Sequence, residues 1–145
     1  IARSTRDRVK MAVSDDPFAR QAITTFKVLE RFDSTRFDDG YTLVECHLFT
    51  GRTHQIRVHM RHINHACVGD PLYGKCDARA DQGLTRQFLH SWRVAFDHPV
   101  TGERIERRDE LPWDLAAVLD DLAPRSLGRT AAGDEIVPQL GLLEA

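Results

Sequence analysis

One short segment of the chain combines the residue types that anion binding and proton chemistry require. Residues 50–59 are Thr-Gly-Arg-Thr-His-Gln-Ile-Arg-Val-His. Arg57 offers a planar fork of N–H donors that matches one carboxylate, and His54 and Gln55 add neutral hydrogen-bonding groups. Thr53 suits the N-cap of a helix, whose first N–H groups attract phosphate or carboxylate. The segment predicts a binding or active site, and the alternative is a capped helix with surface charges.

The elements around this segment must hold it in place. Residues 22–31 and 41–50 alternate apolar and polar side chains with frequent β-branched residues, which is typical of strands. Turn residues between them predict an antiparallel hairpin. A helix is predicted next, because apolar residues recur there at helical spacing. Its stripe consists of Ile56, Met60 and Ile63.

Further elements are predicted in the second half of the chain. Residues 87–96 favour a strand, and a last helix with Pro112 in its first turn presents an apolar face of Leu111, Leu115, Val118, Leu119 and Leu122. Trp92 and Trp113 are expected in the core. The division predicted is one domain portion over residues 1–122 and a C-terminal tail over 123–145.

Length and composition exclude several classes of protein. The 145 residues are 41% hydrophobic and 29% charged, which fits one folded domain and argues against disorder. Apolar runs are far shorter than the roughly 20 residues that cross a bilayer, so no membrane association is expected. Three cysteines without a CxxC pair argue against a disulfide framework. A reducing, cytoplasmic location is therefore predicted.

Charge is segregated along the chain although the net charge is only −2. Residues 46–69 contain no acid but carry three arginines and five of the seven histidines. Residues 101–121 contain seven acids and three arginines. A locally basic strip on a nearly neutral protein indicates one face for an anionic partner, and a solvated charged face is the alternative.

The motif and its continuation resemble a known family. Residues 50–59 are followed by His-Ile-Asn-His at 62–65 and Gly-Asp-Pro-Leu-Tyr-Gly at 69–74. This succession is similar to the C-terminal motif of the RNA pseudouridine synthases, in the A/C/D branch that modifies large-subunit ribosomal RNA. The resemblance covers roughly residues 6 to 122. It implies an α+β fold with a mixed, largely antiparallel sheet and flanking helices.

The resemblance also implies an activity and roles for single residues. Family members isomerise uridine in RNA to pseudouridine without a cofactor, so neither a cofactor nor a metal is expected. Arg57 resembles the arginine that pairs with the catalytic aspartate, where it would keep that carboxylate ionised and oriented. RNA contacts are predicted for Arg52, Thr53, His54, Gln55 and Arg61.

The aspartate that the family uses is expected in an upstream Arg-Leu-Asp segment that these 145 residues do not contain. Asp33 is a decoy, because it follows Arg31 at a similar spacing but belongs to a hairpin turn. The chain is therefore predicted to be the C-terminal portion of a synthase and inactive alone. It is expected to self-associate or to pair with the missing N-terminal part, since a truncated sheet exposes an edge.

Two other functions compete with catalysis. The histidines with Cys67 and Cys76 could bind zinc, but their spacing is not that of a zinc motif. The chain could instead be a non-catalytic RNA-binding module, which would use the same basic strip. For either RNA function the favoured target is large-subunit ribosomal RNA, and transfer RNA is the second candidate.

Overall fold

The computed structural model describes residues 8–12, 22–49, 54–74 and 80–142. Within these ranges the chain forms six strands, three α-helices and two 3₁₀ helices. The strands are β1 Arg8–Ala12, β2 Ile23–Phe32, β3 Tyr41–Leu48, β4 Arg93–Asp97, β5 Arg104–Arg108 and β6 Ser126–Arg129. The α-helices are α1 Gln55–His62, α2 Trp113–Leu122 and α3 Ala131–Ile136, and the 3₁₀ helices are Ala123–Arg125 and Val137–Gln139.

Strand β2 is the centre of a four-stranded sheet. It pairs with β3 along nearly its whole length, and the predicted antiparallel hairpin is thereby confirmed. The other edge of β2 is shared, since β1 pairs with its first half and β6 with its last residues. Strands β4 and β5 form a separate two-stranded sheet. All of these pairings are antiparallel, so the predicted α+β class is confirmed.

Both faces of β2 are covered, which explains why its residues from Thr24 to Glu30 are buried at all but one position. On one face Phe26 and Val28 pack against Met60 of α1. On the other face a larger cluster joins β2 to α2 and α3. Its buried members are Leu29, Phe32, Val118, Leu119, Leu122, Ile136, Val137 and Leu140. A register shift between Val28 and Glu30 places Phe32 on the same face as Leu29, although the two residues are three positions apart.

The predicted helices form, with shifted ends. In α1 the residue before the helix is His54, which adopts a left-handed backbone with φ 53° and makes no side-chain cap. Thr53, the expected N-cap, lies outside the described residues. Helix α2 follows Pro112 and buries the predicted leucine and valine face. Trp113 is 85% exposed because it lies on the opposite side of the helix, so the expectation that it belongs to the core is wrong.

Two further differences from the sequence prediction concern the C-terminal half. The strand expected over 87–96 begins only at Arg93, because Phe88 and Trp92 pack against the larger cluster instead. Residues 123–142, expected as a tail, contribute β6, α3 and three buried side chains to the same core as the sheet. At the start of α3, Gly133 lies so close to the Leu29 carbonyl that a Cβ would overlap it. This close approach lets the helix pack directly on β2.

Candidate active site

Helix α1 is anchored to β2 through buried polar side chains. The Gln55 amide donates to the Ile23 carbonyl at 2.9 Å and to the Thr24 hydroxyl at 3.0 Å. His59 Nδ1 lies 2.7 Å from the same hydroxyl. Burial, followed by the proximity of His62, lowers the pKa of His59 and so favours the neutral ring. These contacts fix the rotation of α1 on the sheet and thereby the direction in which Arg57 projects.

Arg57 and Asp70 form a side-on, bidentate ion pair. Arg57 Nε donates to Asp70 Oδ2 at 2.7 Å, and Nη2 donates to Oδ1 at 2.8 Å. The Asp70 side chain is fully buried, whereas that of Arg57 remains 11% exposed. Two parallel, charge-assisted hydrogen bonds set both the distance and the plane of the guanidinium. Arg57 therefore has a defined orientation within this chain.

The loop after α1 holds Asp70 in place through its own backbone. Asp70 Oδ1 accepts hydrogen bonds from the N–H groups of Leu72 and Tyr73, and the Asp70 carbonyl accepts from Gly74 N–H at 3.0 Å. Gly69 has φ +75°, and a Cβ there would overlap the Arg86 carbonyl oxygen. A Cβ on Gly74 would likewise overlap the Asp70 carbonyl. Both glycines are thus required by close backbone approach.

The ion pair has the expected effect on acidity. The hydrogen bonds from Arg57, with help from those of the Tyr73 and Leu72 N–H groups, lower the pKa of Asp70 from 3.8 to about 2 despite its burial. In return, the hydrogen bonds to Asp70 raise the pKa of Arg57. A carboxylate that accepts several donors stays ionised although it is removed from water. Both partners are therefore charged throughout the working range of an enzyme.

Tyr73 connects the ion pair to the first residue before α1. The Arg57 guanidinium carbon lies 5.2 Å from the centre of the Tyr73 ring, within range of a cation–π contact. On its other side, the Tyr73 hydroxyl lies 3.2 Å from His54 Nδ1. His54 itself has a positive φ, which non-glycine residues adopt rarely. His54, Arg57, Asp70 and Tyr73 form one continuous group.

The predicted site residues fall into three sets. His54 and Arg57 belong to this group, whereas Arg52 and Thr53 lie outside the described residues. Arg61 is exposed on α1, with Nη1 3.5 Å from Asn64 Oδ1. Gln55, which was also predicted to contact RNA, is buried and directs its amide to β2. These hydrogen bonds of Gln55 help to pack α1 on the sheet.

Sequence reasoning missed two residues of this region, Asp70 and His59. The pattern places Asp70 only in a turn-rich loop, although a carboxylate between two glycines shortly after an arginine-bearing helix could have indicated a partner for Arg57. His59 belongs to the basic strip by composition, but the structure buries it against Thr24, and burial lowers the pKa of its ring. Asp33 lies in the β2–β3 turn, where Arg125 donates to its carbonyl.

No metal centre is visible in the part of the chain that the structure describes, since no three potential ligands converge there. Cys46 and Cys67 are free thiols, and burial raises their pKa to about 12 and about 11. Cys76 of the zinc alternative lies outside the described residues. Among the described helices, none has the length and apolar character needed to cross a bilayer.

The arrangement defines a class of site: an α+β scaffold with a pre-oriented arginine on a basic helix. Comparisons with known proteins make this more specific. Residues 2–62 match the sequence profile of the RNA pseudouridylate synthase family. The chain is 45% identical over 122 residues to an uncharacterised RNA pseudouridine synthase of Bacillus subtilis, covering 84% of this chain and 37% of that protein.

A second sequence relative and a solved structure support this match. The ribosomal large subunit pseudouridine synthase D of Xanthomonas campestris is 44% identical over 132 residues, with 84% of this chain and 38% of that protein covered. The structure of human RNA pseudouridylate synthase domain containing 1 superposes with a TM-score of 0.65 and 24% identity, over 93% of this chain and 60% of that one, which shows a shared fold. Over most of its length the chain is therefore similar to members of the RNA pseudouridylate synthase family. It spans little more than a third of the length of these curated relatives.

Proposed function

We propose that this chain is the arginine-bearing portion of an enzyme that isomerises uridine in RNA to pseudouridine. The observation that carries the proposal is the bidentate Arg57–Asp70 pair, which pre-orients a guanidinium inside the motif that the family shares. In the reaction the base is detached from the ribose, rotated and rejoined through carbon, so substrate and product contain the same atoms. No redox or group-transfer cofactor is needed for such an isomerisation.

In this proposal Arg57 binds the catalytic aspartate, which comes from a segment outside these 145 residues. A guanidinium next to a sequestered carboxylate keeps it ionised and fixes its plane. The chain alone is then inactive, because it provides the positioning arginine without the carboxylate that reacts. The proposed boundary at residue 122 marks only the end of the part that resembles the family, since Ile136, Val137 and Leu140 belong to the same hydrophobic core as β2.

The proposed RNA surface is the exposed side of α1 and the turn before it. Helix α1 has no acid in its first turn and carries the exposed Arg61 and His62 in its last turn. Together with Arg52, Thr53 and His54, Arg61 would contact the phosphate backbone or the flipped nucleotide. Gln55 is buried against β2 at the start of the same helix. Binding through such contacts weakens as the salt concentration rises. The logarithm of the binding constant falls against the logarithm of the salt concentration with a slope of about 0.7 for each phosphate neutralised on a single strand.

The favoured target is large-subunit ribosomal RNA, with transfer RNA as the second candidate. Support comes from the similarity to proteins named ribosomal large subunit pseudouridine synthase D. A cytoplasmic location goes with this target. The remainder of the synthase would pack on exposed apolar side chains, among them Val94 and Phe96 of β4, which are 52% and 45% exposed on the same face of the strand.

One observation favours the second candidate, a non-catalytic RNA-binding module. The carboxylate that neutralises Arg57 is Asp70, so the arginine is already paired without any catalytic aspartate. In such a module Arg57 would serve only to fix the loop after α1. A protein of either kind binds RNA, but only the enzyme converts uridine to pseudouridine.

The test compares the 145-residue chain with the complete reading frame that encodes it. Each protein is incubated with a ribosomal RNA transcript, and nucleosides are quantified by mass spectrometry after digestion. We expect pseudouridine with the complete protein and none with the chain alone, while both bind the transcript. A complete protein that binds but forms no pseudouridine in ribosomal or transfer RNA would support the binding module. Pseudouridine formed by the chain alone would show that its own residues suffice.

A further inference from the structure

The Arg57–Asp70 pair leaves part of the guanidinium unused. A guanidinium has five N–H bonds, on Nε, Nη1 and Nη2. Asp70 takes the Nε hydrogen and one hydrogen of Nη2. Two hydrogens on Nη1 and one on Nη2 remain, and within the described ranges no hydrogen bond reaches Nη1. The unused edge is the end-on edge, which can bind a second carboxylate with two parallel hydrogen bonds.

We propose that Asp70 is a positioning residue. Its side-on ion pair with Arg57 orients the guanidinium so that the end-on edge of Arg57 faces the catalytic carboxylate of the synthase. The inference rests on the proposed function and adds to it a residue and a geometry. Arg57 then lies between two carboxylates, one structural and one reactive. Lysine could not replace it, because an ammonium group is a point charge without two planar edges.

Asp70 is suited to this role because several contacts hold it and Arg57 in place. The carboxylate is buried and accepts two backbone N–H groups besides the two bonds from Arg57. Tyr73 covers one face of the guanidinium and is itself held by His54. The opposite side of α1 is fixed to β2 through Gln55 and His59. The direction of the end-on edge is therefore set by the fold before any partner binds.

The chain contains a matched control for this pair. Arg86 and Asp114 form an ion pair of the same side-on geometry, with Nε and Nη2 each 2.8 Å from a carboxylate oxygen. Both of these side chains are partly exposed, at 41% and 25%, and neither belongs to the proposed site. Asp114→Asn therefore removes an ion pair of equal geometry without touching Arg57.

The experiment uses the complete protein and a ribosomal RNA transcript that it modifies. Single-turnover rates of pseudouridine formation and RNA dissociation constants are measured for the wild type, Asp70→Asn and Asp114→Asn. We expect Asp70→Asn to lower the rate about 10- to 100-fold, as displacement of a catalytic contact by an ångström does, and to leave RNA affinity within twofold. We expect Asp114→Asn to keep the wild-type rate and the wild-type RNA dissociation constant. An unchanged rate for Asp70→Asn, or a loss confined to RNA affinity, would overturn the inference.

Arg57→Lys shows whether Asp70 acts through the guanidinium. This variant keeps a positive charge next to Asp70, and we expect it to fold and to lose rate as Asp70→Asn does. Adding Asp70→Asn to Arg57→Lys should then cost less than threefold more, whereas independent effects would multiply. If Asp70→Asn does not fold, the result for Arg57→Lys is used by itself. A wild-type rate for Arg57→Lys would exclude the proposal that Arg57 must bind two carboxylates through its two planar edges. A wild-type protein without activity would instead refute the proposed function.

Discussion

The acid sensitivity of the chain should depend on the buried ion pair between Arg57 and Asp70. Folding lowers the pKa of Asp70 from 3.8 to about 2, chiefly through its hydrogen bonds with Arg57. A difference of this size corresponds to about 2 kcal/mol in favour of the folded state at neutral pH. The Arg57 side chain retains some solvent contact, which screens the pair, so we expect about 1–2 kcal/mol.

The sign of the effect follows from the direction of the pKa change. A carboxyl with a lowered pKa in the folded state stabilises the protein fully above its unfolded value near 4. The stabilisation is lost as pH falls toward the folded value near 2. Asp70→Asn removes this titration, and it also leaves Arg57 without its counter-charge at every pH. The difference in unfolding free energy between wild type and variant should therefore be largest at pH 6 and shrink on acidification.

The measurement is urea unfolding followed by tryptophan fluorescence at pH 6, 5, 4 and 3, with linear extrapolation to water. We expect the difference between wild type and Asp70→Asn to fall by about 1 kcal/mol between pH 6 and pH 3. Asp38 and Asp114, whose pKa values are also lowered, are present in both proteins and cancel. A difference that stays constant with pH, or grows in acid, would refute the assignment of the lowered pKa to Asp70.

Three further predictions concern the packing of α3 and the exposed apolar surface of β4. Thr130 caps α3 by accepting from Gly133 N–H, so Thr130→Val should lose about 1 kcal/mol of unfolding free energy whereas Thr130→Ser should not, as thermal unfolding would show. Gly133→Ala should cost about 1–3 kcal/mol by overlap with the Leu29 carbonyl, and an unchanged melting temperature would contradict the close approach. Phe96→Lys should reduce concentration-dependent association in sedimentation velocity. Phe37→Lys, at a similarly exposed turn position, should leave association as it is.

Local patterns determined much of the fold. Alternation in β2 and β3 predicted their hairpin, and helical spacing predicted both α1 and α2, because these periodicities report which side of an element is buried. The conformation of residues 123–142 could not be predicted in this way. Strand β6 is only four residues long and exposed, and α3 depends on Gly133 lying against β2. Short elements of this kind are stable only through tertiary packing.

Residue types and spacing within ten residues were enough to predict that Arg57 lies in a basic helical segment and that a binding or active site lies there. Tertiary structure decided which carboxylate the arginine meets. Asp70 is thirteen residues away and reaches Arg57 only through the fold of the intervening loop. Tertiary structure also turned Gln55 inward, since α1 rotates to match the polar groups at the start of β2. The chemistry of a side chain is local, whereas its partner depends on how distant segments pack.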